Sequence, residues 1–173
     1  MNEIIKNIIT RRSIRKYKPD MIPEEMINEI VKAGTYAPSG LGTQSPVILV
    51  IINKEMRDKL SELNARVTDR VGDPFYGAPV ILVVLAEKKY MTHVQDGSVV
   101  MENLMLAAHS LGIGSCWIHG AKEEFELPEG KEILKNLGIA GEFEGIGHCI
   151  LGYAEGVEPK AVPRKDTYVY YIK

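Results

Sequence analysis

Residues 102–118 read Glu102-Asn103-Leu104-Met105-Leu106-Ala107-Ala108-His109-Ser110-Leu111-Gly112-Ile113-Gly114-Ser115-Cys116-Trp117-Ile118. Together with the residues just before them they decide the fold. Val100, Leu104, Ala107, Ala108 and Leu111 make one helical stripe, while Val99, Met101, Met105 and Leu106 make other faces apolar too. A helix from Asp96 to Leu111 that is apolar nearly all round is expected to be buried, in a domain core or between two subunits. The following segment, Ile113 to Ile118, reads as a strand. It carries the single tryptophan, and His119-Gly120 follow it.

Working outward, the spacing predicts helices over Glu3–Thr10, with Ile4, Ile5, Ile8 and Ile9 on one face, and over Glu24–Tyr36, with Ile27, Ile30 and Val31 inward. Pro23 suits a first helical position, and Ala37-Pro38 ends the second helix, because the residue before proline is pushed out of helical geometry. Further helices are expected over Lys54–Val71 and Pro128–Leu137. Apolar runs at Val47–Ile52, Val80–Ala86 and His148–Tyr153 read as buried strands. Helices alternating with strands suggest parallel pairing. The tail beyond Glu155 holds Tyr168, Tyr170 and Tyr171, so it is expected to pack on something, such as a partner subunit.

Bulk properties exclude several classes. A chain of 173 residues with 45% hydrophobic and 25% charged residues suits one globular domain, here 1–173. A net charge of -2 argues against a nucleic-acid binder. Two cysteines, Cys116 and Cys149, are too few for a disulfide scaffold. The N-terminus lacks a secretory h-region and no run approaches a membrane span, so the expectation is a cytoplasmic protein with no membrane partner. His93, His109, His119 and His148 show no metal-ligand spacing, and no metal is expected.

Three segments carry candidate chemistry. In Arg11-Arg12-Ser13-Ile14-Arg15-Lys16-Tyr17, three arginines and a serine fall within five residues. Guanidinium groups pair with phosphate oxygens and a hydroxyl adds a donor, so this is either a phosphate clamp or a solvated basic turn. The loop Ala37-Pro38-Ser39-Gly40-Leu41-Gly42-Thr43-Gln44-Ser45-Pro46 offers glycines for close approach to a flat ligand and an amide that both donates and accepts, or is an ordinary connection. The third is the tryptophan segment, in which Cys116 is better read as a buried inert thiol than as a nucleophile. Neither a G-x-G-x-x-G after a strand nor a Walker loop is present, which leaves a phosphate-bearing cofactor held in another way.

Taken together, Arg11 to Arg15, the Pro38-Ser39-Gly40 to Gln44 loop, Phe75-Tyr76-Gly77-Ala78-Pro79, Glu102 to Ile118, Gly152-Tyr153 and Pro163-Arg164-Lys165 resemble the FMN-dependent nitroreductase family, in family order over nearly the whole chain. The resemblance implies an α+β fold with a central mixed, mostly antiparallel sheet flanked by helices. It also implies an intertwined homodimer with FMN at the interface, and it overrides the parallel order. It assigns Arg11, Arg12 and Ser13 to the phosphate and ribityl end, joined by Arg164 and Lys165. Arg15 goes to the pyrimidine edge, where a cation favours the reduced flavin. Pro38, Ser39, Gly40 and Gln44 come from the other subunit, Ile118, His119 and Gly120 lie along the ring near N5, and Asn64 is a polar contact. The chain departs from the family at Gly42, where Asn is usual, at His119, where Glu is frequent, and in a short segment after Gly120.

The implied activity is hydride transfer from NADH or NADPH through flavin N5 to an electron-poor acceptor, nitroaromatic or quinone. No catalytic side chain is needed. Alternatives are a flavin-binding sensor or storage protein, or another flavin enzyme on the same fold, such as a dehalogenase or an azoline-type dehydrogenase.

Overall fold

The computed structural model describes residues 1–173. Four strands, β1 (Pro46–Ile51), β2 (Val80–Glu87), β3 (Gly114–Ile118) and β4 (Phe143–Gly152), form one sheet in the order β1-β2-β4-β3. Every neighbouring pair is antiparallel. The parallel order suggested by the helix–strand alternation is therefore wrong, and the mostly antiparallel sheet of an α+β fold is right. A run of buried β-branched residues reports burial but carries no information on strand direction.

The centre of the sheet follows directly from the pleat. Along β2, Val80, Leu82, Val84 and Ala86 enter one core, and Ile81, Val83 and Leu85 enter the other. The first core is closed by α2 (Glu24–Thr35) and α4 (His93–Ser110), whose Ile27, Ile30, Met101 and Leu104 are fully or nearly fully buried. The second lies under α3 (Lys54–Thr68), α5 (Ala121–Glu126) and α6 (Pro128–Asn136), with Leu60, Phe75, Phe125 and Ile133 inside. Close helix packing depends on Gly34, where an added Cβ would sit 2.5 Å from Leu104 Cδ2. Asn53 caps α3 by accepting a hydrogen bond from the Met56 N–H at 2.9 Å, and α6 begins with Pro128.

Several expectations change. β4 starts at Phe143 and not at His148. Its first half carries Gly145 and Gly147, which depress any strand pattern, yet both are required by close approach. A Cβ at Gly145 would lie 2.1 Å from the Ala121 carbonyl oxygen, and one at Gly147 2.4 Å from Trp117 Nε1. β1 is an edge strand, with Val50 and the following Ile52 exposed, so it is not buried on both faces. The short, acid-rich α5 has no apolar stripe long enough to announce it. It is tied to β4 by a fully buried pair, His148 Nε2 and Glu124 Oε2 at 3.0 Å.

α4 is apolar nearly all round but is not covered all round within the chain. Val94 and Val99 are exposed and Leu106 and Ala107 half-buried. The isoleucine face of α1 (Glu3–Thr10) and the tyrosines of the tail are exposed too. No helix is long and apolar enough to cross a membrane.

Candidate functional site

The basic segment is laid along the outer edge of β3. The Ile14 N–H donates to the Ser115 carbonyl at 2.9 Å, and Ser13 forms a parallel bridge with Ser115. Farther on, Tyr17 bridges Ala154. Buried Ile14 and Tyr17 supply the apolar anchors, so their polar neighbours face outward at fixed places. Tyr17 Oη donates to the Ile14 carbonyl at 2.7 Å, and burial pushes its phenol well above the ordinary range.

Two cavities result. One, of about 110 Å³, lies at the start of β3 and is lined by Arg11, Arg12, His109, Gly114 and Ser115 among others. Arg11 Nη1 and Ser115 Oγ are both buried there without a hydrogen-bond partner. Buried donors are rarely left unpaired, since each costs desolvation energy. A guanidinium and a hydroxyl lining one small cavity suit an oxyanion such as a phosphate. Arg12 is partly committed elsewhere: its Nη1 donates to the Ile9 and Arg11 carbonyls at 2.9 and 2.8 Å, closing the end of α1. Burial lowers the pKa of His109, and Arg11 and Arg12 reinforce this against the opposing charge of Glu158.

The second cavity, of about 320 Å³, lies at the far end of β3 and includes Arg15, Asn64, Ile118 and His119 in its lining. Asn64 is fully buried. Its Nδ2 donates to the His119 carbonyl at 2.7 Å and its Oδ1 has no partner. Gly120 has φ 102°, and a Cβ there would approach Asn64 Nδ2 to 2.7 Å. Only glycine therefore lets the chain leave β3, turn into α5 and keep the Asn64 clamp. Burial raises the pKa of the Cys116 thiol against the nearby Arg15 charge and a Ser13 hydrogen bond, which supports the inert-thiol reading.

The Pro38 loop lies elsewhere. Pro38, Ser39 and Gln44 line a separate cavity of about 340 Å³ beside Val100, sharing no lining residue with either arginine cavity. Asp96, in the first turn of α4, organises the loop. It accepts from the Gly40 N–H at 2.9 Å, Ser45 Oγ at 2.9 Å and Thr92 Oγ at 3.1 Å. Burial works to raise the Asp96 pKa, but these hydrogen bonds outweigh it and hold the carboxyl below its ordinary range. Leu41 and Gln44 sit at positive φ, 55° and 50°, and Ser39 Oγ accepts from the Gln44 N–H at 2.9 Å. Arg164 and Lys165 are exposed in the tail and line neither arginine cavity.

The chain thus gathers Arg11, Arg12, Ser13, Arg15, Asn64, Ile118, His119 and Gly120 along β3. It does not bring Pro38, Ser39, Gly40, Gln44, Arg164 or Lys165 to them. Sequence reasoning passed over Ser115, His109 and Asp96 as site-forming residues. An acid in the first turn of an otherwise apolar helix was the available signal for Asp96. No group of three metal-ligating side chains converges.

Comparison with known proteins identifies the family. A crystal structure of a nitroreductase with bound FMN from Bacteroides fragilis superposes with a TM-score of 0.88 at 30% identity, covering 100% of both chains. One from Desulfitobacterium hafniense, also with bound FMN, gives 0.86 at 30% identity over 99% of each. A protein of Archaeoglobus fulgidus, provisionally named an NADH dehydrogenase/NAD(P)H nitroreductase, is 40% identical over 68% of this chain and 68% of its own. The model of the nitroreductase family matches residues 8–153, and the chain belongs to that family.

Proposed function

We propose that this chain is an NAD(P)H-dependent FMN oxidoreductase that passes two electrons to an electron-poor acceptor of nitroaromatic or quinone type. It works as a cytoplasmic homodimer in which residues 1–173 form one FMN-binding domain. The observation that carries the reading is the pair of buried, unpartnered donors, Arg11 Nη1 and Ser115 Oγ, in a cavity at one end of β3. The FMN-bound structures similar to this chain support the cofactor, and the NAD(P)H nitroreductase relative supports the electron donor.

When bound, FMN supplies the two-electron redox chemistry. The chain's own part is to bind, orient and tune. Arg11 and Ser115 would hold the phosphate, with Arg12 and Ser13 beside them. Arg15 would set a positive charge beside the flavin and so favour the reduced over the oxidised cofactor. Asn64 fixes the His119 carbonyl, and with it the backbone from Ile118 to Gly120 that would help hold the cofactor. No side chain needs to act as acid or base.

The second subunit completes the site. Pro38, Ser39, Gly40 and Gln44 lie apart from the arginine cavities of their own protomer, and their use requires a copy that faces them across the interface. Arg164 and Lys165 reach the phosphate by the same route. The exposed apolar faces of α1, α4 and the tail supply the area for such an interface. The absorption spectrum of the purified protein tests the reading: FMN bands, bleached by NADH or NADPH and restored by a quinone, are expected. A colourless protein that takes up no FMN would overturn it.

A further inference from the structure

Among the residues lining the Arg15 cavity that the cofactor reading does not use, Arg70 and Tyr76 bring a charge and a phenol. Both are aimed by unusual backbone. Arg70 follows Asp69, which ends α3 at φ 51°, and the Arg70 N–H closes the turn on the Ala65 carbonyl at 2.9 Å. Tyr76 itself sits at φ 53°. A non-glycine side chain in that region costs conformational energy and persists only where its surroundings impose it. Here the surroundings are explicit. Asp73 accepts from the Phe75 N–H at 2.9 Å, the Gly77 N–H at 2.7 Å and Ser61 Oγ at 2.7 Å, and pairs with Arg57. The loop is clamped on both sides of Tyr76.

The two side chains meet. Arg70 Nη1 donates to Tyr76 Oη at 3.3 Å, and the guanidinium lies over the ring at 6.0 Å from its centroid. Because the phenol oxygen accepts this bond, its own proton is free to donate. The remaining guanidinium N–H groups are free as well. Neither Arg70 nor Arg15 forms an ion pair with any carboxylate. The lining contains no Asp or Glu, although the chain as a whole carries a net charge of -2. The result is a local positive pocket rich in donors and lacking an anion.

We propose that Arg70 and Tyr76 form an oxyanion-recognising rim beside the part of this cavity given to the cofactor by Arg15, Asn64, Ile118 and His119, so that the preferred acceptor is an electron-poor aromatic bearing a carboxylate. This rests on the oxidoreductase reading and narrows its substrate class. The paired guanidinium N–H groups and the phenol proton match the two oxygens of a carboxylate, whereas a neutral ring leaves the arginine unpaired.

The test compares 4-nitrobenzoate with 4-nitrobenzyl alcohol as acceptors for the FMN-loaded wild type, Arg70→Gln and Tyr76→Phe, each with NADH and with NADPH. Calorimetric titration with benzoate and benzyl alcohol, which are not reduced, reads binding separately. The wild type is expected to favour the nitrobenzoate in kcat/KM and to bind benzoate in a salt-sensitive way. Arg70→Gln should lower both by about 3–30-fold, the range for a charge-assisted hydrogen bond partly open to solvent. The alcohol should be unaffected, and Tyr76→Phe should show a smaller loss. A carboxylate preference that survives in Arg70→Gln overturns the proposal. So does a change confined to the NADPH-to-NADH ratio, which would place the anion on the donor's phosphate. If the wild type holds FMN but turns over neither acceptor, the oxidoreductase reading fails, while benzoate binding still decides whether Arg70 recognises the anion.

Discussion

The two ends of β3 carry the same residue type and opposite environments. At the Gly114 end, Arg11 is drawn into a small cavity with a buried nitrogen left unpaired beside Ser115. At the Ile118 end, Arg15 and Arg70 are exposed on a cavity of about 320 Å³. An unpaired donor out of water gains most from a permanent partner, because binding removes a desolvation penalty already incurred. An exposed cation in an open cavity is screened, so it binds weakly and reversibly. The first environment suits the permanently held phosphate of the cofactor; the second takes the rest of the cofactor beside Arg15 and keeps Arg70 open to ligands that come and go.

Breaking the buried end should have the largest effect. Arg11→Ala should cost about 1.5–3 kcal/mol in FMN binding, or ~10–150-fold in affinity, while the circular dichroism of the fold stays intact. Full flavin retention after dialysis would remove the distinction between the two ends. At the open end, Arg15→Met should leave FMN affinity nearly unchanged and lower the two-electron potential. A shift on the order of 30 mV corresponds to ~1.4 kcal/mol for two electrons, and dye-equilibrated redox titration measures it. An unchanged potential with heavy flavin loss would move Arg15 to the phosphate. A smaller probe of the buried end is Ser115→Ala, which should weaken FMN by about 0.5–1.5 kcal/mol, the net worth of one neutral hydrogen bond. Fluorescence titration of the apoprotein with FMN reads it.

The Pro38 loop offers the mildest test, through pH. Asp96 has its pKa lowered in the folded state, so the unfolded chain binds more protons as pH falls toward the ordinary Asp value of about 3.9. The stability contributed by Asp96 is present above that value and is lost as pH drops through the lower folded pKa. Between pH 5 and 8 the loop should therefore show no titration. Asp96→Asn should flatten the acid limb of stability measured by urea unfolding, and an unchanged acid limb would contradict the assigned role.

Much of this was legible in the chain. The apolar period of α4, the two-sided burial of β2 and the Arg11 to Arg15 cluster follow from local chemistry, since residue spacing alone decides which face a side chain occupies. The resemblance added the cofactor, and the matched family agrees with it. Less legible were the features in which a residue serves a distant neighbour. Gly145 and Gly147 look like strand breakers until Ala121 and Trp117 press against them. Asp96 looks like an ordinary first-turn acid until the Pro38 loop hangs from it.

The sequence by itself determined the helices and strands other than α5 and the first half of β4, the two-sided burial of the central strand and the supply of basic side chains near the N-terminus, because these depend on spacing and residue type within a few turns of chain. Strand direction, the placing of Arg11 and Ser115 on one cavity, the Asn64 clamp on His119 and the meeting of Arg70 with Tyr76 were decided only by tertiary structure. Each joins residues far apart in spacing or aimed by a left-handed backbone turn, and no local period records where a folded chain will bring its distant parts together.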